Sequence, residues 1–370
     1  MNLFFPSHDI ALAHGVKHFN PPAAALRLQE DLAFLSDIWN QPYLNGETEI
    51  PLPWGWDWDT RDFIHRKYGV KMSKLPTDEE LEQIRQLSSR RSSIVCLEKL
   101  YEKLSNELKI DISNDLAQED MLASLCVTMP HFLDSEDKLW DFITSHDSAG
   151  KPFVLKTPWS SSGRGLLVSH TKANTGLIVD NSRTFLMQQA MCTIRKMGGI
   201  MGEEWISDKV QDFAMLFYAS EERVMFIGYS LFDNDNTSLG TTYRQGYLLS
   251  NDTIVERLGI RNELLTIVAK AYEEILTEML QAFLGKSWHL GYLGIDMITY
   301  NIGDDSETLV GNDYITKKHL AVHPCIELNL RCTMGVVCRL WYDQHLTEGV
   351  FRISPMLSNR HFKAEFLPTE

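Results

Sequence analysis

GYLGIDMITY (291–300) and PCIELNLRCTMG (324–335) decide how this chain is read. Each begins as a run of apolar and β-branched residues of strand length. The first carries one acid, Asp296, and the second carries Glu327, Asn329 and Arg331 at alternate positions. Alternate residues of a strand point to the same face, so these three form a row. Asp296 lies across from them if the two strands pair antiparallel. Carboxylates set among apolar neighbours need a partner or an ion, because burying an unpaired charge is expensive. Two carboxylates and an amide oxygen are hard ligands suited to Mg²⁺ or Mn²⁺. Arg331 beside them would stabilise a phosphoryl group or a developing oxyanion. The residues alone leave a second reading open, a structural pairing of the acids with Arg331 or Lys156.

Upstream, KPFVLKTP (151–158) reads as a strand that delivers Lys156 into the loop Ser160-Ser161-Ser162-Gly163-Arg164-Gly165, followed by the apolar run Leu166–Val168. Glycine permits close backbone approach to an anion, serine adds donors, and lysine supplies a point charge for phosphate. The G-x-x-x-x-G-K-[ST] signature is absent, and a strand rather than a helix follows. A plain hairpin tip explains the same residues. Glu203-Glu204-Trp205 and Asp212 come next; they read either as a hinge that meets an adenine and a ribose or as a solvated turn. Arg244, in a polar stretch at 229–247, is a candidate for a substrate carboxylate or an ordinary surface residue. His8 and Asp9 either face the cleft or cap a helix.

Around these motifs the chain divides into a helical first part and a β-rich second part, with the boundary near 115–125. Leu3-Phe4-Phe5 is strand-like, and residues 21–38 and 60–68 read as helices. The Pro/Trp/Gly-rich stretch 51–58 reads as irregular. A helical region spans about 77 to 109, opened by the capping-box pattern Thr77-Asp78-Glu79-Glu80 and broken near Ser88, Ser89, Ser92 and Ser93. Ser135 or Asp134 caps a helix. Strands are expected at 213–219, 224–232 and 242–249, then a long amphipathic helix at about 260–284.

With 370 residues, two or three packed units are the default. There are 35 Lys and Arg against 50 Asp and Glu, a net charge of −15 that argues against a nucleic-acid partner. Six scattered cysteines form no C-x-x-C pair, which speaks against zinc and fits a reduced cytoplasm. No basic n-region precedes the brief apolar start, so no signal peptide is read; no run of about 18 apolar residues suggests a membrane span.

The order of these features resembles the ATP-grasp superfamily: lysine strand, Gly/Ser loop, acidic hinge, long helix, Asp strand, and a Glu-x-Asn-x-Arg strand. The resemblance covers roughly 125–340, and FFPSHDIALA…PPAAALRLQEDL resembles the domain preceding it in an uncharacterised bacterial group. It implies an α+β, or α/β, ATP-grasp fold of two α+β subdomains clasping a nucleotide, after an N-terminal α/β pre-ATP-grasp domain. The divisions are 1–120, then 121–370, split into a flap-bearing part (121–205) and a metal-bearing part (206–370). Lys156 would contact the phosphates of ATP, with Ser160 to Gly165 as the flap over them. Glu204 and Trp205 would sit at the adenine hinge, although the group has proline where Trp205 stands, and Asp212 near the ribose or substrate. Asp296, Glu327 and Asn329 would coordinate Mg²⁺, with Arg331 facing the γ-phosphate or an acyl phosphate. The implied reaction activates a small-molecule or peptide carboxylate as an acyl phosphate and joins it to an amine or thiol. A phosphotransferase of the same fold and a nucleotide-binding module without turnover are the alternatives, and a homodimer is one possible assembly.

Overall fold

The computed structural model describes residues 2–111, 124–125, 128–159, 165–169, 182–237, 240–284, 291–302, 306–310, 313–317, 320–356 and 361–368. Short apolar segments in the middle of the chain form a four-stranded antiparallel sheet. It contains β1 (His131–Leu133), β2 (Phe153–Lys156), β3 (Leu166–Val168) and β4 (Ile200–Glu204), in the order β1-β4-β2-β3. The helices Glu136–Ser148 and Ser182–Met197 cover it, and Leu139, Phe142, Phe153, Leu155, Ala190 and Ile200 make its core. Ser135 is the N-cap of the first of these helices, accepting from the Lys138 N–H.

The second sheet is built from β5 (Lys209–Ala219), β6 (Val224–Thr237), β7 (Gly240–Leu248) and β8 (Gly291–Asn301). After a hairpin of β9 (Ser306–Val310) and β10 (Asp313–Lys317), it adds β11 (Leu320–Asn329), β12 (Gly349–Pro355) and β13 (Phe362–Pro368). Its order is β11-β8-β5-β6-β7-β12-β13. The pleat sorts the side chains of β5 and β8 onto two faces. Phe213, Met215, Phe217, Leu293, Ile295 and Met297 share a core with the helix Asn262–Leu284. Ala214 and Leu216, on the opposite face, pack with Val336, Val337 and Cys338 of the helix Met334–His345. Asp212 alternates with Ala214 and Leu216 along β5 and so belongs to that second face.

The described residues before β1 are helical where they are regular. Leu3-Phe4-Phe5, expected as a strand, is extended but pairs with no strand; Trp54 donates its N–H to the Leu3 carbonyl at 2.7 Å instead. Its side chains nevertheless fill the cores of the large sheet: Leu3, Trp56, Leu97 and Leu100 on one face, Phe4, Trp39 and Trp54 on the other. The helical region is two helices, as the serines lead one to expect: Asp78–Leu87 and Arg91–Asp111, separated at Ser88-Ser89-Arg90. The capping box is complete: Thr77 Oγ1 accepts from Glu80 N–H at 3.2 Å, and Glu80 Oε2 accepts from Thr77 N–H at 2.7 Å. Thr77→Ala is therefore expected to lower stability by ~1 kcal/mol. The check is the midpoint of a urea melt, with the slope unchanged. Among the described residues, no helix is long and apolar enough to cross a membrane.

Candidate active site

β8 and β11 pair antiparallel with Asp296 opposite Glu327 and Asn329 opposite Gly294. A register shift between His323 and Glu327 accommodates Pro324, which has no N–H for the ladder. Opposed residues on one face have Cβ atoms about 5 Å apart, so the two carboxylates confront each other. Burial pushes the Asp296 carboxyl up to about 7, and the Glu327 charge adds to the push. Arg331 and a hydrogen bond from Asn329 oppose it, while Asp212, one strand away on β5, raises it further. Burial also works against the Arg331 charge, but Asp9, Glu327 and Asp296 outweigh it and hold the guanidinium more basic than usual.

Such a pair of like charges is a demand for a cation. Among the described residues no group of three or more His, Cys, Asp or Glu converges in the manner of a metal site, so a cation held by the two acids would need a further oxygen, which Asn329 could supply. Its side chain is on the same face and already bonded to Asp296. Two carboxylates and an amide oxygen fit a hard divalent ion of the Mg²⁺ or Mn²⁺ type and do not suit a soft one.

Two arginines flank the acids. Arg331 Nε donates to Asp9 Oδ1 at 2.8 Å, so Asp9, in the first turn of the helix His8–His14, serves an ion pair. Arg90, buried in the Ser88–Arg90 turn, donates from Nη2 to Glu327 Oε2 at 3.0 Å and from Nη1 to the Thr157 carbonyl at 2.8 Å. Its own N–H donates to the Pro158 carbonyl at 2.8 Å. Trp159 then donates Nε1 to the Arg85 carbonyl at 2.8 Å while the Arg85 guanidinium lies 4.5 Å over its ring. The start of the Ser/Gly loop is thus clamped to the helical region, and the same arginine reads Glu327. Arg90 has no counterpart in the sequence reading. Nothing local marks a residue whose partner is 237 positions away.

Ser160, Ser161, Ser162, Gly163 and Arg164 lie outside the described residues. Gly165 closes the loop with φ +76°, where an added Cβ would stand 2.9 Å from Thr157 Cγ2, so both backbone and space favour glycine. Lys156, at the end of β2, is buried in an ion pair with Glu203 of β4. Glu203 and Glu204 are strand residues rather than a solvated turn. Beside the pair is His323 of β11, whose imidazole burial pushes down to about 4; Lys156 lowers it further and Glu203 opposes. Lys156 of the small sheet is therefore near enough to β11 of the large one for its charge to be felt at His323. Glu204 holds Lys151 at 2.9 Å, and Trp205 donates its N–H to the Pro152 carbonyl. Asp212 accepts from Lys209 at 2.7 Å and from Asn234 at 3.3 Å. Arg244 is elsewhere, at the β6–β7 ladder, where it donates to Asp233 at 2.6 Å.

A narrow pocket of about 10 Å³, room for one amino- or water-sized group, opens beside the acids, walled by His8, Asp9, Ser88, Trp159 and the run Glu327–Arg331. His8 is 1% exposed; its Nδ1 lies 3.3 Å from Asp57 Oδ2, and its Nε2 has no partner among the described residues. Asp57 is the N-cap of the helix Trp58–Tyr68, accepting from Thr60 N–H at 2.8 Å.

No protein-family model matches this chain, and no curated protein matches its sequence. Among solved structures it is similar to N5-carboxyaminoimidazole ribonucleotide synthetase in its ADP complex, at 12% identity and a TM-score of 0.39, covering 80% of this chain and 62% of that one. Biotin carboxylase from Campylobacter jejuni, in complex with a β,γ-ATP compound, matches at 12% identity and 0.41, covering 92% and 66%. D-alanyl-alanine synthetase A from Vibrio cholerae O1 matches at 10% identity and 0.37, covering 78% and 68%. The chain spans about three fifths of the length of the first of these.

Proposed function

We propose that this chain is an ATP-grasp ligase, which activates a carboxylate as an acyl phosphate and passes the acyl group to an amine or thiol. The observation that carries the reading is the confrontation of Asp296 and Glu327 across one β-bridge, with Asn329 and Arg331 in the same row. In it, Asp296, Glu327 and Asn329 hold Mg²⁺, which when bound neutralises phosphate oxygens and orients the transferring group. Arg331 keeps its charge despite burial and faces the group in transfer. Lys156 exchanges Glu203 for a nucleotide phosphate, a swap of one anion for another that leaves the lysine paired throughout. The clamp of Arg90 and Trp159 fixes where the Ser/Gly loop starts, so that Ser160 to Gly165 close over the phosphates from a fixed base and shield an acyl phosphate from water. Glu204, Trp205 and Asp212 lie toward the nucleoside.

The test is a screen of carboxylates with ATP and Mg²⁺ in which ADP release is measured and hydroxylamine is present to trap any acyl phosphate as a hydroxamate. The expected result is acid-dependent ADP and hydroxamate together, both falling ~10³-fold in Glu327→Gln, the several kcal/mol a metal supplies to the transition state. ADP with a stable phosphorylated product and no hydroxamate would make the chain a phosphotransferase. Tight MgATP binding with no ADP under any mixture would make it a nucleotide-binding module.

A further inference from the structure

The pocket beside the acids contains chemistry that phosphoryl transfer does not use. His8 is buried and forms part of its wall, and its Nε2 has no partner. Ser88 Oγ, in the same wall, is likewise buried without one. Buried polar atoms of native proteins are almost always satisfied, so two orphans around one space point to a ligand. Asp57 secures His8 from behind: with Oδ1 it caps the helix Trp58–Tyr68, and with Oδ2 it approaches His8 Nδ1. A carboxylate at Nδ1 places the proton there and leaves Nε2 as the acceptor. Gly55 makes room for the ring, since a Cβ at that position would lie 2.5 Å from Nε2. The other charged groups facing the pocket are Asp9, Arg331 and Glu327.

We infer that this pocket receives the nucleophilic amine and that His8, held by Asp57, is the base that accepts its proton. This rests on the ligase reading above. The step balances within that reaction. The amine lone pair forms the C–N bond, and the bond from the acyl carbon to the phosphate oxygen breaks, with phosphate taking the electron pair. One N–H proton moves to His8 Nε2 and then to solvent, while Asp57 stabilises the imidazolium. Ser88 Oγ is placed to hold the amine or its adjoining polar atom.

The experiment compares the wild type with His8→Gln and Asp57→Asn, using the acid returned by the screen and two nucleophiles: hydroxylamine, unprotonated at neutral pH, and an alkyl amine chosen by screening alkyl amines with that acid, ATP and Mg²⁺ for amide formation. Asn keeps the helix cap at 57 but turns a donor toward Nδ1 and imposes the wrong tautomer. Matching melting temperatures establish that both variants fold. The expected result at pH 7 is hydroxamate formation within about twofold of wild type in both variants, with amide formation from the alkyl amine down ~10²-fold or more. The amide defect shrinks as pH rises and free amine accumulates. Equal loss with both nucleophiles overturns the inference, as does wild-type amide formation in both variants. If the wild type itself yields no hydroxamate with any acid, the ligase reading fails first and takes this inference with it.

Discussion

Asp296→Asn is expected to melt later than the wild type in a chelator at pH 8, and to lose most of the stabilisation that Mg²⁺ gives the wild type. The native Asp296 carboxyl titrates at about 7 against an ordinary 3.8. The folded chain therefore binds this proton more tightly than the unfolded chain. The stability it contributes is fully present below pH 4 and is lost as pH rises through 7. At ~1.4 kcal/mol per pH unit, the ionised, metal-free state at pH 8 carries an upper-bound cost of roughly 4 kcal/mol. Asn removes that cost, and the two proteins converge by pH 5, where Asp296 is protonated. Mg²⁺ removes the same cost in the wild type by displacing the proton, so its stabilisation grows from pH 6 to pH 8. Calorimetric melts at three pH values, with chelator and with Mg²⁺, read all of this. A variant that gains as much from Mg²⁺ as the wild type would show that the cation sits elsewhere.

Arg90→Met is expected to be the most destabilising single change at the site, at about 3 kcal/mol. Methionine keeps most of the apolar stem and removes the fork. The Thr157 carbonyl loses its donor, and Glu327 faces Asp296 without its ion-pair partner, with only the more distant charge of Arg331 to offset it. Breaking a buried pair costs roughly 3–5 kcal/mol, and the 21% exposure of the Glu327 side chain places this one at the lower end. Mg²⁺ should restore part of the loss, because it supplies charge to the same carboxylate. The double variant with Asp296→Asn should lose less than the two single effects added. Denaturant melts of the four proteins give that coupling directly; strict additivity would mean that Arg90 supports only the loop.

What the sequence disclosed about this site is what a strand pattern can carry. Asp296, Glu327, Asn329 and Arg331 stand out because a polar residue at alternate positions of an apolar strand names its own face, and the pairing of β8 with β11 places the acids opposite each other. The Thr77 capping box and the break at the serines were legible for the same reason, being written in neighbouring residues. Strands β1 and β4 escaped notice because they are only 3 and 5 residues long, and β4 ends in two acids that resemble a turn. One of those acids, Glu203, is buried against Lys156. Arg90 and Asp57 escaped because their roles exist only across the fold: each belongs to a turn or cap whose local chemistry is already complete, and its second partner is remote.

That remoteness has a consequence for how the chain becomes active. Asp9 meets Arg331 across 322 positions, and Arg90 meets Glu327 across 237. Residues at both ends of this span fill the same cores, Leu3 and Leu328 in one and Phe4 and Val336 in the other. A chain still emerging from the ribosome can close the four-stranded sheet alone, since all its strands lie within 131–204. It cannot wall the pocket until residue 331 is available. The earliest helices must wait, with apolar faces uncovered, for strands made last, and such long loop closures are slow and expose the chain to aggregation. If the proposed function holds, competence to bind MgATP arises only once residue 331 is in place, and refolding should regain it only in the slowest phase.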